Sequence, residues 1–511
     1  MTPPGSKSLT NRAILIAALA RGTSVLRAPL LGADDTERML EAVAQLGATV
    51  ERTDTGDLRI TGVAGRWAPR SSDLTLNLNN AGTATRFLAA AAILGDPQRG
   101  PITIDGNERM RERPIAELGD ALRTLGVKVE YPRNEGFPPI RIYPPASLAD
   151  LDTQLTFGRT ASSQFISALL LIAPWLPRGL TIYFSEPPTS PSYIAMTTGL
   201  LRRCGFQVKG DVHAPTFTHE DEGLPPPPPS GMRAVAAAGD APPAPGDARP
   251  TPSAPLSPPP PPGPITVFPA EHLRSPDRIA PGGFDITIEP DASSATYLCA
   301  AAALAPRSSI TIRALTHPSL QGDAGFLAVL RACGAEVQQS PRGTYVRGRA
   351  LPVDPFAFDF TSMPDAALTA AAVACFAGSD GPGAGAAGGG GARSILSGLS
   401  TLRVKETDRI AALQTELAKI GVATTVERGP NPATGRDDEL LIITPPHPAL
   451  NCAPTVEPVV FETYDDHRMA MSLALIGLHR PNVSIRNPAC VAKSYPDFWR
   501  DFARVYDELK R

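Results

Sequence analysis

The sequence predicts an α/β protein of two similar domains, each assembled from three copies of one structural unit. One pattern occurs six times along the 511 residues: a polar turn, an alanine-rich helix, a short strand, a second helix and another strand. A long proline-rich segment separates the first three copies from the last three. In each copy the first helix is apolar nearly all round, whereas clear examples of the second helix carry one apolar stripe and a charged face.

The copies share a recognisable end, as in "QLGATV", "TLGVKV" and "RCGFQV". They occupy residues 8–50, 83–129, 162–208, 293–337, 365–425 and 467–505. Because a helix that is apolar on all sides must be buried, we expect the first helices inside each domain and the second helices facing solvent. The predicted first domain comprises residues 6–288, and the predicted second domain comprises residues 289–511 together with residues 1–5.

Two segments interrupt the repeats with a composition that does not form packed elements. Residues 223–264 are rich in proline and residues 378–392 are rich in glycine. Proline lacks a backbone donor and glycine raises the entropic cost of ordering, so we predict disordered insertions at about residues 211–283 and 378–392. The proline runs could instead dock in an aromatic-lined groove of a partner, but a solvated loop is the simpler interpretation.

The overall composition argues against several classes of protein. The 48 Lys and Arg and the 51 Asp and Glu give a formal charge of −3, so neither nucleic acid nor a membrane is expected as a partner. The six cysteines lie far apart and lack the spacing of a zinc site, which indicates free thiols in a reducing compartment. The longest apolar run, residues 165–176, is too short to span a bilayer. The N-terminus opens directly on a motif, so no signal peptide is expected.

Small, polar or cationic residues precede the predicted buried helix of every copy. They occupy residues 5–12, 80–86, 161–164, 291–296, 364–369 and 465–468. Helix capping explains the Ser, Thr, Asp and Asn residues among them. Capping does not explain four cations at these places, because a cation opposes the partial positive charge of a helix N-terminus. These cations are Lys7, Arg12, Arg86 and Arg468.

More cations lie in loops between the helices, in residues 108–114, 402–409 and 489–497. If both domains turn their helix starts toward one cleft, the cleft gathers Lys7, Arg12, Arg113, Lys405, Arg409, Arg468 and Lys493. Such a site suits ligands that carry more than one phosphate or carboxylate. The carboxylates Asp365, Glu406 and Asp466 are expected in the same field and could serve as acid or base. Solvated surface ion pairs are the alternative interpretation.

Ten short motifs in this order make the sequence resemble the 5-enolpyruvylshikimate-3-phosphate (EPSP) synthase family. They are "PGSKSLTNR", "NAGTATR", "ERMRERP", "SSQF", "DASSAT", "SLQGD", "MPDAALT", "RVKETDR", "YDDHRMAM" and "AKSYPDF". The start "TPPGSKS" and the run "ATRFL" are most similar to the EPSP synthase domain of the pentafunctional AROM polypeptide. The resemblance implies the enolpyruvyl transferase fold, an inside-out α/β barrel in which each of two domains has three βαβαββ units.

The resemblance also implies an enzyme, a 3-phosphoshikimate 1-carboxyvinyltransferase of chorismate and aromatic amino acid biosynthesis. The family reaction transfers the enolpyruvyl group of phosphoenolpyruvate to the 5-hydroxyl of shikimate 3-phosphate and releases phosphate. Neither a metal nor an organic cofactor is implied. A cytoplasmic location is expected, with a plastid form that has lost its transit peptide as the alternative. Other shikimate-pathway domains in the same polypeptide are expected partners. The short strand that precedes "PGSKS" in the family does not occur here, so a fragment of a longer polypeptide is also expected.

The family's functional residues transfer onto matching positions of this sequence. The expected catalytic residues are Lys7, Asp365, Lys405 and Glu406; Asp365 and Lys405 flank the reacting hydroxyl, and Glu406 lies near the enol methylene. The residues expected around shikimate 3-phosphate are Ser8, Arg12, Ser162, Ser163, Gln164, Ser190 and Tyr193. Those expected around phosphoenolpyruvate are Gly82, Arg113, Arg409, Arg468 and Lys493. Asn80 and Asp466 complete the expected substrate-binding set, which contains no metal ligand.

Three positions depart from the family pattern. Asn79 replaces a glycine at a turn, and asparagine tolerates positive φ better than most residues. Phe87 stands where bacterial and plant members have proline, and Thr401 stands where an asparagine often helps to hold the substrate phosphate.

Two other functions stay open at this stage. UDP-N-acetylglucosamine enolpyruvyl transferase shares the fold and the donor, but its family has a reactive cysteine on a loop of the first domain. The corresponding region here, around residues 107–114, contains none. A catalytically silent scaffold module is the second alternative; it is disfavoured because unused buried charges are costly.

Deletion of residues 223–264 should leave the catalytic activity and the solubility nearly unchanged, because long surface insertions contribute little to the stability of a packed domain. The measurement is phosphate release by the deleted and the complete chain, with the yield of soluble protein as the control for folding. A collapse of either quantity would contradict the assignment of this segment as an insertion.

Overall fold

The computed structural model describes residues 1–69, 71–212, 262–270, 283–306, 308–349, 351–378, 392–446 and 449–509. Over these ranges the chain follows the predicted repeat, in which a buried helix and a second helix alternate with short strands.

The helices of the first half are α1 (Lys7–Leu19), α2 (Asp34–Gln45), α3 (Gly82–Ala91), α4 (Glu108–Arg111), α5 (Ala116–Thr124), α6 (Ser163–Ile172) and α7 (Pro191–Arg203). Its strands are β1 (Thr23–Arg27), β2 (Thr49–Arg52), β3 (Leu58–Thr61), β4 (Thr75–Asn77), β5 (Ile102–Asp105), β6 (Lys128–Glu130), β7 (Ile140–Tyr143), β8 (Gln154–Phe157), β9 (Leu180–Phe184), β10 (Val208–Lys209), β11 (Ile265–Val267) and β12 (Asp285–Thr287).

The helices of the second half are α8 (Ala292–Leu304), α9 (Phe326–Ala332), α10 (Ala367–Ala374), α11 (Arg409–Ala418), α12 (His467–Ala474) and α13 (Phe498–Leu509). Its strands are β13 (Ser309–Arg313), β14 (Glu336–Ser340), β15 (Gly343–Arg347), β16 (Ala357–Asp359), β17 (Ser394–Ser397), β18 (Ala423–Pro430), β19 (Asp437–Thr444), β20 (Val459–Phe461) and β21 (Val483–Ile485).

The described strands form six separate sheets, three in each half, rather than one closed barrel. In the sheet β4-β5-β7-β6 the first two strands are parallel, and the remaining pairs are antiparallel. With α3 and the helices α4 and α5 between its strands, this sheet is a complete βαβαββ unit. The other sheets are β12-β1-β3-β2, β10-β11-β9-β8, β13-β15-β14, β16-β17-β19-β18 and β20-β21. The predicted fold class is therefore confirmed.

The first helix of each unit lies inside its half, and the sheets lie outside. Every residue of α3, α8 and α10 is buried, and their many alanines leave room for neighbouring helices to approach closely. The strands alternate instead between buried and exposed positions, as β13 does. The amphipathic α2 buries its apolar stripe, and Glu41 on its other face is exposed, but Asp35 in its first turn is buried. None of the described helices has the length and the apolar character that a membrane crossing requires.

Two apolar cores support the proposed division of the chain. One core contains buried residues from Leu9 to Ile288, and the other contains buried residues from Ala292 to Val505. The chain passes between the two halves near residues 4–6 and again near residues 288–291, where the backbones of Gly5 and Pro290 pair. Met1 hydrogen-bonds to β13 of the second half, which is consistent with the proposed assignment of residues 1–5 to that side.

The predicted disordered insertion at about residues 211–283 is wrong over residues 262–270. Strand β11 lies there and pairs antiparallel with both β10 and β9. Ile265 and Val267 are fully buried on either side of Thr266, so their strand periodicity outweighs the neighbouring prolines. Residues 213–261 and 271–282, and residues 379–391 of the predicted glycine-rich insertion, lie outside the described residues.

Candidate active site

The starts of five buried helices meet in one cleft between the two halves. Lys7 of α1, Gly82 of α3, Ser163 of α6, Asp365 just before α10 and Arg468 of α12 all line it. The cleft and its open mouth together contain about 970 Å³ of empty space. The free amide groups and the partial positive charge of a helix start both favour bound anions. Five helix N-termini that favour anions therefore lie around one cleft.

Most of the predicted site residues line this cleft. They are Lys7, Ser8, Arg12, Gly82, Arg113, Ser162, Ser163, Gln164, Ser190, Tyr193, Asp365, Lys405, Glu406, Arg409 and Arg468. The other three, Asn80, Asp466 and Lys493, do not face the open space but contact residues that do. In the ranges that the structure describes, no three His, Cys, Asp or Glu side chains converge as metal ligands would.

Asp365 lies at the centre of the cationic cluster. Its Oδ1 accepts a hydrogen bond from Arg409 at 2.9 Å and lies 3.7 Å from Lys405 Nζ. Its Oδ2 accepts from the Tyr193 hydroxyl at 2.7 Å and lies 3.0 Å from Arg468 Nη2. Burial alone would raise the pKa of Asp365, but these three cations, Arg468 foremost, hold that pKa well below its usual range. The carboxylate of Asp365 is therefore ionised. It becomes a better proton acceptor when bound anions pair with the three cations.

Glu406 forms a second carboxylate centre beside Asp365. Lys493 Nζ lies 2.9 Å from its Oε1, and Arg409 Nη2 lies 3.1 Å from its Oε2. Burial opposes ionisation, yet Lys493 and Arg409 hold the pKa of Glu406 well below its usual range. Lys493 also donates to the carbonyl of Asn80 at 3.2 Å, and Arg109 of α4 donates to the Glu406 carbonyl at 3.0 Å. Glu406 is thus held by contacts from both halves.

Asp466 holds Arg409 in place from the side away from the cleft. It is fully buried, and its Oδ2 accepts from Arg409 Nε at 2.7 Å. Its Oδ1 caps α12 by accepting from the amide of Arg468 at 2.9 Å. Burial opposes the charge on Arg409, but Asp466, with Glu406 and Asp365, raises the pKa of the guanidinium. The prediction that Asp466 belongs to the site is consistent with this position, although the side chain does not reach the open space.

Arg12 is a buried cation whose hydrogen-bond acceptors are all neutral. It donates to the Thr197 hydroxyl at 2.8 Å and to the Ser8 carbonyl at 2.9 Å, with longer bonds to Ser167 and Tyr193. Its guanidinium lies 5.0 Å from the centre of the Phe87 ring, the residue that departs from the family pattern. Burial lowers the pKa of Arg12 to about 10. A bound anion would relieve this cost.

Arg86 and Arg113 form a second group of cations without a carboxylate partner among the described residues. Arg86 donates to the carbonyls of Gly82 and Pro114, and Arg113 reaches only the Asn80 side chain, at 3.5 Å. Burial, together with the charge of Arg113, lowers the pKa of Arg86 well below its usual value. The Nε of Arg113 is buried and has no hydrogen-bond partner in the described structure. Two guanidinium groups that lack a carboxylate partner in the described structure favour a phosphate or carboxylate between them.

Asp35 and His467 are ionisable residues of the cleft that were not predicted as site residues from the sequence. Asp35 of α2 is buried, and its Oδ2 lies 3.2 Å from Lys7 Nζ, while its Oδ1 has no hydrogen-bond partner among the described residues. His467 is buried, and burial together with the charge of Lys7 lowers its pKa well below the usual value, so the ring is neutral. Acidic residues are common in the first turn of a helix, so the sequence gives Asp35 no special role. His467 lies between Asp466 and Arg468, and the sequence alone does not show that its ring faces the cleft.

Two of the positions that depart from the family pattern fit the site. Asn79 adopts a φ of 51°, as expected where asparagine replaces glycine, and its side chain donates to Asp34 at 2.9 Å. Thr401 lines the cleft, and its buried hydroxyl has no hydrogen-bond partner among the described residues. The Thr401 hydroxyl is thus free to donate to a ligand oxygen.

The fold and the cationic cleft define an enolpyruvyl transferase. The chain is similar to the solved EPSP synthase of Acinetobacter baumannii, with a TM-score of 0.64 and 20% identity over 99% of this chain and 95% of that chain. It is also similar to the enolpyruvyl transferase NikO of Streptomyces tendae, with a TM-score of 0.62 and 14% identity over 99% of this chain and 94% of that chain. These similarities concern the fold alone.

The model of the family EPSP synthase (3-phosphoshikimate 1-carboxyvinyltransferase) matches residues 1–223 and 265–502, so the chain belongs to this family. A 3-phosphoshikimate 1-carboxyvinyltransferase of Thiobacillus denitrificans is 35% identical over 98% of this chain and 95% of that protein. One of Nitrosomonas europaea is 34% identical over the same shares.

Replacement of Asp35 by Asn should lower kcat/KM by about tenfold to a hundredfold, because Lys7 loses a hydrogen bond to a charged group worth ~1.5–3 kcal/mol. The matched control is Asp34→Asn at the preceding position, where the half-exposed carboxylate pairs with Arg38 instead. Steady-state kinetics of both variants check the prediction. Equal kinetics for the two variants would show that Asp35 does not hold Lys7 in place.

Proposed function

We propose that this cleft performs the reaction of the EPSP synthase family, in which the enolpyruvyl group of phosphoenolpyruvate passes to the 5-hydroxyl of shikimate 3-phosphate. The observation that carries the proposal is the charge of the lining. Seven lysines and arginines line the cleft, against three carboxylates. Burial of unbalanced charge is costly, so the cleft requires anionic ligands. Shikimate 3-phosphate and phosphoenolpyruvate each carry one phosphate and one carboxylate, so the two substrates together supply the missing charge.

Shikimate 3-phosphate is assigned to the side of the cleft formed by α1, α6 and α7. Ser163 and Gln164 lie in the first turn of α6, whose partial positive charge favours a bound phosphate; the Gln164 amide donates to the capping Ser162 hydroxyl at 3.3 Å. Arg12 faces the same side and has only neutral acceptors in the described structure. Ser8, Ser162 and Ser190 add hydroxyl groups around the space. Tyr193 then lies between this substrate and the base Asp365, to which it donates a hydrogen bond.

Phosphoenolpyruvate is assigned to the side formed by the start of α3 and by the second half. Gly82 is suited to this position, because a Cβ there would lie 2.8 Å from Arg113 Nη1 and would push the guanidinium away. Arg86 and Arg113 meet a ligand from the first half, and Arg409 and Arg468 meet it from the second. Bidentate guanidinium groups hold phosphate and carboxylate oxygens in fixed orientations. Lys7 stabilises the charge that develops on the departing phosphate.

The proposed chemistry is an addition followed by an elimination. Glu406 first takes up a proton from solvent, when the substrate anions pair with Lys493 and Arg409. In the addition, Asp365 takes the proton of the 5-hydroxyl, the hydroxyl oxygen bonds to the enol carbon, and Glu406 gives its proton to the methylene carbon. In the elimination, Glu406 takes that proton back, the double bond re-forms, and phosphate leaves with the proton held by Asp365. Lys405, 3.7 Å from Asp365, stabilises the negative charge near the reacting hydroxyl. The protons balance over the two steps.

Substrate binding prepares the two carboxylates for this role. In the structure described here, Lys493 and Arg409 hold the pKa of Glu406 low, and Arg468, Lys405 and Arg409 do the same for Asp365. When the substrate anions pair with these cations, less positive charge remains to stabilise the ionised carboxylates. The pKa of both groups then rises toward neutrality, where a carboxyl group exchanges protons efficiently.

The location and the companions of the chain remain predictions. The similarity of "TPPGSKS" and "ATRFL" to the AROM polypeptide supports a cytoplasmic location and a link to other shikimate-pathway domains. The two separate cores support domains at residues 6–288 and at 289–511 with 1–5.

The decisive assay mixes the protein with phosphoenolpyruvate and shikimate 3-phosphate in the presence of a chelator and measures phosphate release. Release is expected with this acceptor, because the cleft offers cations for both substrates. A parallel reaction with UDP-N-acetylglucosamine as acceptor should release none. Release only with the nucleotide sugar, or with neither acceptor, would overturn the proposed function.

The variants Asp365→Ala and Lys405→Met should each abolish turnover while the fold is retained, because one lacks the base and the other lacks the adjacent cation. Circular dichroism and thermal unfolding check the fold, and phosphate release checks the activity. The matched controls are Asp120→Ala and Lys128→Met, whose side chains are 68% and 63% exposed outside the cleft. Turnover at the wild-type rate in either cleft variant would refute the assigned roles.

A further inference from the structure

A small polar pocket lies directly behind the active cleft, and we call it the inner pocket. It is lined by Ser6, Ser8, Ser192, Tyr193, Met196, Asp291, Ser293, Gln321, Gly322, Asp323 and Ser362. Ser8 and Tyr193 line both spaces and so form the wall between them. The inner pocket also contains the end of the motif "SLQGD", which the proposed chemistry does not use. Both halves of the chain contribute to its walls.

The hydroxyl groups of Ser6 and Ser192 show that the inner pocket is built for a polar occupant. The two residues are 1% and 3% exposed, and neither hydroxyl has a hydrogen-bond partner among the described residues. An unpaired buried hydroxyl is costly, and buried water is the usual means of pairing it. The pocket has room for about one water molecule. A water molecule in this pocket can exchange protons with the carboxyl group of Asp323, which lines it.

Asp323 is a buried ionisable residue of the inner pocket. It is 6% exposed and accepts a hydrogen bond from the Ser293 hydroxyl. The charged or titratable groups that act on it are Tyr193 of α7, Asp291 at the start of α8, Asp365 before α10 and Arg468 of α12. Glu289, after β12, accepts a hydrogen bond from the side chain of Gln321, two positions before Asp323. The one charged residue of the adjoining α9, Arg331, is exposed. Asp323 and Tyr193 line the same small pocket, and the Tyr193 hydroxyl donates to Asp365 at 2.7 Å, so Asp323 lies near the proposed base.

Two buried carboxyl groups that lie close together do not ionise independently. Arg409 and Lys405 contact Asp365 directly and favour its ionised form. Burial and the negative charge of Asp365 raise the pKa of Asp323 to about 7, although Arg468 opposes the shift. Near neutral pH, Asp365 is therefore ionised while Asp323 gains or loses its proton.

We propose that Asp323 is a positioning residue for the reaction: it exchanges a proton with solvent in the inner pocket, and its charge sets how strongly Asp365 accepts the proton of the reacting hydroxyl. When Asp323 is protonated, the cations around Asp365 are unopposed and make it a weak base. When Asp323 loses its proton, the new negative charge makes Asp365 a stronger base. The inference rests on the proposed role of Asp365.

The first test compares the pH dependence of kcat in the wild type and in Asp323→Asn, which resembles the protonated residue at every pH. We expect kcat of the wild type to rise several-fold between pH 6 and pH 8. In the variant this rise should shrink to what the titration of the substrates causes, while KM for both substrates changes little. An unchanged rise in the variant, or an equal loss of kcat at both pH values, would overturn the proposal.

A second variant moves the titration instead of removing it. The Ser293 hydroxyl bond lowers the pKa of Asp323, so Ser293→Ala should shift the rise in kcat to higher pH. A purely structural role of Ser293 would lower kcat without moving the rise, and that result would contradict the proposal.

An infrared measurement on the wild type is independent of activity and of the folding of variants. With ¹³C-labelled aspartate, the difference spectrum between pH 6 and pH 8 should show the loss of a protonated carboxyl band. Absence of this band would overturn the proposal even if the enzyme is active. A wild type that shows the band but releases no phosphate would instead refute the proposed function.

Discussion

Unbalanced positive charge at buried helix starts is the constraint on which the rest of this structure depends. Lysines and arginines outnumber the carboxylates of the cleft, and two groups of them, around Arg12 and around Arg86, lack an acidic partner in the described structure. Such an arrangement is stable only within a rigid, well-packed frame. The alanine-rich helices and the outer sheets provide that frame in both halves.

The same constraint explains how the two halves fit together. Asp291 caps its own helix by accepting from the Ser294 amide at 2.7 Å, and it also accepts from the Lys7 amide at 3.3 Å, at the start of a helix in the other half. A single carboxylate thereby pairs with amides from two helix starts. The crossing of the chain and the position of Lys7 are thus linked through one carboxylate.

Much of this architecture is readable from the sequence, because it depends on local patterns. Helices that are apolar on all sides are predicted to be buried, and cations at helix starts indicate bound anions. The sequence therefore predicts a cationic cleft, but not the distances and partners of the residues that line it. Strand β11 was missed because three residues give a weak periodic signal beside many prolines. Asp35 and Asp323 were missed for another reason. Their importance depends on Lys7 and on Asp365, which lie far from them in the sequence and near them only in the fold.

The contacts that join the two halves at the cleft have a consequence for control. Tyr193 bonds Asp365, Lys493 bonds the Asn80 carbonyl, and Arg109 bonds the Glu406 carbonyl, each across the boundary between the halves. Each half on its own holds an incomplete set of reactive groups inside an intact core. Separation of the two halves would therefore break up the set of reactive groups while leaving both cores undisturbed.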